Sequence, residues 1–111
     1  MKKYIGCDLG GTNFRAAIVD VESGSVLIQQ NIPTLARDGH AAVMQRMADL
    51  IVCIIQAAGV DKSAIGGIGI GVPGVLDLDK GETLFLPNLE GTWPHVPLRD
   101  TIQALTGIPV A

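Results

Sequence analysis

The sequence predicts an α/β fold: a mixed sheet that opens with an antiparallel three-stranded meander and carries helices on its faces. Three observations predict it. The N-terminal part of the chain reads as three short strands joined by two tight turns. A long helical stretch then leads into a fourth apolar strand, an order that suits parallel pairing. Of the 111 residues, 48% are hydrophobic and 17% charged, which supplies one core in a chain too short for two ordinary domains.

The elements follow in order. Residues 3–9 (KYIGCDL) form a short, largely apolar strand, and Leu9-Gly10-Gly11-Thr12-Asn13 a turn. Residues 14–21 make a second strand with Arg15 and Asp20 as its polar positions, and Glu22-Ser23-Gly24 turns the chain again. Val26, Ile28, Gln30 and Ile32 alternate along a third strand. The spacing predicts a helix over 39–59, with Asp38 as N-cap and Gly59 as its stop. Met44, Met47, Ala48, Ile51, Ile54, Ile55 and Ala58 share one face, and the apolar run at Leu50-Ile51-Val52-Cys53 predicts cover on more than one side. Residues 65–72 (IGGIGIGV) form the buried fourth strand, ended by Pro73-Gly74. Residues 75–86 read as irregular chain with a hairpin around Asp79-Lys80-Gly81, and 87–97 as a loop. A short helix over 97–105 places Leu98, Ile102 and Leu105 on one face and stops at Gly107. Ile108-Pro109-Val110-Ala111 reads as the first residues of another strand.

Composition narrows the function classes. A net charge of −3 leaves no basic footprint for nucleic acid. The apolar run Leu50–Ile55 is far below a membrane span, and no apolar signal segment opens the chain. The expected setting is cytoplasmic, with Cys7 and Cys53 reduced rather than paired. Fourteen glycines and six prolines are the unusual feature, and they cluster at three candidate sites.

The first site is Asp8-Leu9-Gly10-Gly11-Thr12-Asn13, with Arg15 two residues on. Two glycines let the backbone turn tightly and approach a ligand, successive N–H groups form an anion cradle, and Thr12 and Asn13 add donors. Asp8 at a strand end suits a hydrated Mg²⁺. Two readings stand: a phosphate-and-metal turn, or an ordinary hairpin turn with an incidental aspartate. The second site, Gly69-Ile70-Gly71-Val72-Pro73-Gly74, matches G-x-G-x-x-G. A dinucleotide-binding strand must run straight into a helix, and Pro73 followed by residues 75–81 is a poor helix start. It reads as a buried strand ending in backbone that a small ligand can touch, or as a glycine-rich strand packed under a helix. The third site is the loop Leu86 to Trp93. Asn88 donates and accepts together, as a pair of sugar hydroxyls requires. Trp93 is of a type to pack on a ring, but it and Glu90 are read instead as the anchor of a solvated loop and a solvated residue. Neither His40 nor His95 has ligand spacing to a partner. No nucleophile triad and no Gly-Lys-Ser/Thr loop occurs.

Taken in order, Asp8-x-Gly10-Gly11-Thr12-Asn13-x-Arg15 with Asp20, Gly69-x-Gly71-x-Pro73-Gly74, Pro87-Asn88-Leu89 with the Trp93 loop, Pro97-Leu98 and Gly107-x-Pro109-Val110 resemble the ROK family of bacterial sugar kinases, its glucokinase-like branch above all. The opening motif alone is shared across the actin-like ATPase superfamily. The ordered set spans essentially the whole chain and is far more specific. The resemblance implies an RNase H-like (actin-like ATPase) N-terminal domain over residues 1–111. It implies that Asp8, Gly10, Gly11, Thr12 and Asn13 bind ATP, with Asp8 toward Mg²⁺, and that Gly74 and Asn88 lie at a hexose, glucose foremost. The family reaction moves the γ-phosphoryl of ATP to a sugar hydroxyl, which needs positioning and charge neutralisation above all.

The sequence departs from the family pattern at its end. There an Asn-Asp pair follows the Pro-Val strand, and its Asp is the general base. Here Val110-Ala111 comes just short of it. The later sugar-binding residues, the zinc motif and the adenosine-binding segment are also missing. The expectation is an N-terminal lobe with no catalytic residue of its own, zinc only in the missing C-terminal part, and no phosphorylation by this chain alone. A lobe with an open sheet edge and an uncovered apolar helix face is expected to self-associate into a homo-oligomer. Two rivals remain. One is a sugar-responsive ROK regulator, although Met1 runs straight into the first strand with no helix-turn-helix before it. The other is a non-catalytic ATP- or sugar-binding module.

Overall fold

In the computed structural model, which describes residues 2–111, the meander consists of β1 (Lys3–Leu9), β2 (Asn13–Asp20) and β3 (Ser25–Pro33). β1 and β2 pair antiparallel with Leu9 opposite Phe14 and Asp8 opposite Arg15; β2 and β3 pair with Asn13 opposite Pro33. The lead-in from Met1 lies outside the described residues.

β4 (Ile65–Gly71) lies parallel to β1, with Ile5 opposite Ile68 and Asp8 opposite Gly71. The order is therefore β3-β2-β1-β4. Val110 bridges to Ile68 in parallel, so residues 109–111 begin the further strand the sequence predicts. Residues 75–86 are more regular than expected: β5 (Val75–Asp77) and β6 (Glu82–Phe85) form a separate two-stranded sheet. Its tip is closed by the Asp77 carboxylate, which accepts from the N–H groups of Asp79 and Lys80.

Side chains alternate across the sheet. Ile5, Cys7 and Leu9 of β1 and Phe14, Ala16 and Ile18 of β2 are buried beneath α1 (His40–Ala58). Tyr4, Gly6 and Asp8 occupy the other face and are exposed. By length and composition α1 is apolar enough to cross a membrane. Here eight of its residues, Val43 to Ile55, are buried in the core instead. It contacts β2, β3 and the second helix, α2 (Leu98–Thr106). Val52 and Cys53 stay exposed, so the cover on α1 is less complete than its composition predicts.

Two local expectations are corrected. Gly39 (φ 93°), not Asp38, is the N-cap of α1 and makes no side-chain cap. Asp38 closes a short 3-10 turn over Ala36–Asp38, and its carboxylate accepts from Arg46 Nη2 at 2.8 Å. On α2 the buried stripe is Leu98, Ile102 and Thr106, while Leu105 is 42% exposed. The stripe follows a four-residue step, and the Thr106 hydroxyl fits the core because it donates to Ile102 O at 2.8 Å and accepts from the Ile108 N–H. Gly59 and Gly107, both left-handed, end α1 and α2 as predicted.

Candidate functional site

Because β1 and β4 are parallel, their carboxyl ends lie side by side, the position where open α/β sheets present ligand sites. The chain brings Asp8 and the 10–12 turn there from β1, and Gly71 and the bend to Gly74 from β4. Asp8 is exposed beside Gly71 and, among the described residues, makes no ion pair.

The turn closes on a hydrogen bond from the Gly10 N–H to Asn13 O at 2.9 Å. Behind it sits Thr34, buried at the end of β3. The Thr34 hydroxyl donates to Gly10 O at 2.7 Å, and its N–H donates to Thr12 O at 2.9 Å. Arg46 of α1 donates to Thr34 O at 2.6 Å. The N–H groups of Gly11 and Thr12 have no acceptor among the described residues. The turn thus shows donors without partners, with an exposed carboxylate close by in sequence.

The loop from Leu86 to Val96 forms the opposite wall. Leu86, Leu89, Trp93 and Val96 are buried, whereas Asn88 and Glu90 are exposed. The loop is bonded to itself: Leu89 N–H to Leu86 O at 3.1 Å, Thr92 N–H to Leu89 O at 2.9 Å, and Leu86 N–H to Thr92 O at 2.9 Å. Gly91, Thr92, Trp93 and His95 all have positive φ, an uncommon conformation for the three that are not glycine. Thr83, fully buried on β6, holds the loop's end: its hydroxyl donates to Trp93 O and accepts from the Val96 N–H at 3.2 Å. Trp93 is 1% exposed with its ring edge-on to His40, so it anchors the loop and presents no face to a ligand. Its Nε1 is buried without a partner.

The two walls meet at Gly11. A Cβ on this glycine would fall inside the Asn88 carbonyl oxygen, 3.1 Å from its carbonyl carbon and 3.2 Å from its Cβ. Gly74 is as constrained, since a Cβ there would sit 2.5 Å from both Leu86 Cδ2 and Phe85 O. The structure therefore sets Gly11 of the 10–13 turn against Asn88, Gly74 against Phe85 and Leu86 just before Asn88, and Asp8 beside Gly71. Glycine at both positions is required for close approach, not for an unusual φ.

Other predicted features go elsewhere. Gly69–Gly74 runs into β5 rather than a helix, so it lacks the geometry of a dinucleotide-binding turn. Asp20 closes the β2–β3 turn by accepting from the Glu22 N–H at 3.0 Å. Both cysteines are free. Cys7 lies in the core, and burial pushes its thiol up to about 12. Among the described residues no three His, Cys, Asp or Glu side chains stand together, so the residues here do not enclose a metal ion. They fit a hydrated Mg²⁺ that takes one carboxylate and leaves its other positions to water and phosphate oxygens. Thr34, Arg46 and Thr83 escape sequence reasoning. Each belongs to no motif, and its partners come from other elements.

A family model described as ROK family matches residues 4–111. A glucokinase from Thermotoga maritima is 36% identical over 105 residues, which are 95% of this chain and 31% of that protein. A xylose repressor from Caldicellulosiruptor bescii is 32% identical over 96% of this chain and 26% of its own length. The crystal structure of a ROK family glucokinase from Streptomyces griseus in complex with glucose and AMPPNP superposes with a TM-score of 0.75 at 32% identity, covering 98% of this chain and 32% of that one. The chain spans about a third of the length of the glucokinases it matches.

Proposed function

The chain belongs to the ROK family, and from that membership and the site geometry we propose that it is the ATP-dependent hexose kinase type, with glucose as the foremost sugar. In this reading Gly10, Gly11, Thr12 and Asn13 cradle the ATP phosphates with backbone and side-chain donors. Asp8 holds Mg²⁺ through water, and the ion neutralises charge on the phosphates. Gly74 and Asn88 receive the sugar. The observation that carries the reading is the contact of Gly11 with Asn88: it sets the phosphate turn against the sugar loop, as transfer between two bound substrates demands. A relative crystallised with glucose and an ATP analogue supports it. No residue of this chain is assigned as the base that takes the sugar's proton. The 111 residues alone are expected to show no glucose-dependent ATP turnover.

The similarity to a xylose repressor favours one second reading, a sugar-responsive regulator. Thermal unfolding separates the two. A ligand at ten times its Kd stabilises by about 1.4 kcal/mol, roughly 6–11 °C for a domain of this size. The kinase reading expects Mg-ATP to raise the Tm of the chain and Gly11→Ala to abolish the shift. A shift with sugar and none with Mg-ATP supports the regulator. No shift with either overturns both assignments for this lobe.

A further inference from the structure

The phosphate turn rests on one buried residue. Thr34 takes the carbonyls of Gly10 and Thr12 on its hydroxyl and its N–H, at 2.7 and 2.9 Å. In a trans peptide the C=O and the following N–H point in opposite directions. Drawing both carbonyls onto Thr34 therefore directs the N–H groups of Gly11 and Asn13 away from it. A carbonyl turned the other way would place negative charge where an anion must sit. Thr34 is in turn held by Arg46 Nη1 at 2.6 Å, and Arg46 Nη2 is paired with Asp38 at 2.8 Å. That pairing offsets the guanidinium charge, so Arg46 acts as a tether to α1 rather than as an attraction for phosphate.

We propose that Thr34 is a positioning residue of the phosphate site: it fixes which way the Gly10–Gly11 and Thr12–Asn13 peptides face, and Arg46 ties it to α1. This rests on the reading of that turn as the ATP phosphate site. Fixing the donors in advance spares the site their reorganisation when the ligand arrives, the condition under which backbone dipoles act most strongly on an anion.

Thr34→Val keeps the branched shape and removes the hydroxyl donor, whereas Thr34→Ser keeps the donor. Amide resonances of the ¹⁵N-labelled full chain report the turn without ligand, and titration with Mg-ATP reports binding on the same spectra. Thr34→Val is expected to move the Gly11, Thr12 and Asn13 amides while α2 stays unchanged, and to weaken Mg-ATP at least about fivefold, the equivalent of one lost hydrogen bond. Thr34→Ser is expected to restore both. A folded Thr34→Val chain with unmoved turn amides and unchanged Mg-ATP affinity overturns the positioning role. Turn amides that move, in a parent chain that binds neither Mg-ATP nor inorganic pyrophosphate, overturn the phosphate reading and with it the role given to Thr34, leaving only a structural brace. If Thr34→Val does not fold, Arg46→Gln at a partly exposed position tests the same tether and must displace the same amides.

Discussion

Gly11 has no space for a methyl group, and that single fact joins two segments of the chain. Its requirement is steric rather than conformational, so it is invisible to turn rules that look for left-handed glycines. Cys7 shows a different residue-scale effect. Its thiol is raised from 9.0 to about 12 by burial. Between those values the folded chain keeps a proton that the unfolded chain releases. The stabilisation is complete below about pH 9 and is lost as pH rises through the folded value. Tm measured across that range is expected to fall less steeply in Cys7→Ala than in the parent. At pH 8 a thiol reagent is expected to label exposed Cys53 quickly and Cys7 only on unfolding. Equal labelling rates would contradict the burial of Cys7. Both cysteines are visible as apolar-segment residues in the sequence; which of them the core encloses is not.

Among the elements, β1 to β4 and the two helices are legible; the strands β5 and β6, read as irregular chain around a hairpin, and the conformation of the 86–96 loop are not. Alternation marks β1 to β3, four-residue spacing marks α1, and Gly59 and Gly107 mark the helix ends, because each signal depends on neighbours in sequence. The loop depends on Thr83, ten residues before Trp93. Its left-handed Thr92 and Trp93 follow no local preference and are held by the loop's own backbone bonds and the burial of the indole. Thr83→Val leaves Trp93 O and the Val96 N–H without their partner and is expected to cost about 1–3 kcal/mol. Such a loss lowers Tm by roughly 4–8 °C per kcal/mol in a domain this small. If the loop positions Asn88 as proposed, sugar affinity falls with it. A Thr83→Val chain with unchanged Tm would remove the loop's anchor from this account. Asp38 and Leu105 were misplaced by sequence for a related reason: Arg46 takes the carboxylate of the first, and a four-residue packing stripe bypasses the second.

The whole molecule is organised around β1, paired on both sides by β2 and β4 and packed beneath α1. Hydrogen exchange is expected to be slowest at β1, where Ile5, Cys7 and Leu9 are buried, and faster in edge strand β3 and in the β5–β6 hairpin. Protection of β3 above that of β1 would contradict the strand order. The parallel pairing of β1 and β4 places the turn after one strand beside the bend after the other, so the site's location follows from topology.

By itself the sequence determined the α/β class, the order of elements, the antiparallel meander, the parallel fourth strand and the ordered motifs that mark the ROK family. The class, the element order and the strand pairing are properties of periodicity, turn chemistry and spacing, carried by residues near one another along the chain, whereas the family reading rests on the resemblance of motifs spread over the whole of it. Only the tertiary structure decided that Gly11 meets Asn88, that Thr83 holds the loop that Trp93 anchors, and that Thr34 and Arg46 stand behind the 10–13 turn. Those contacts join residues from different elements, and their geometry exists only once the sheet, α1 and the loop have packed together.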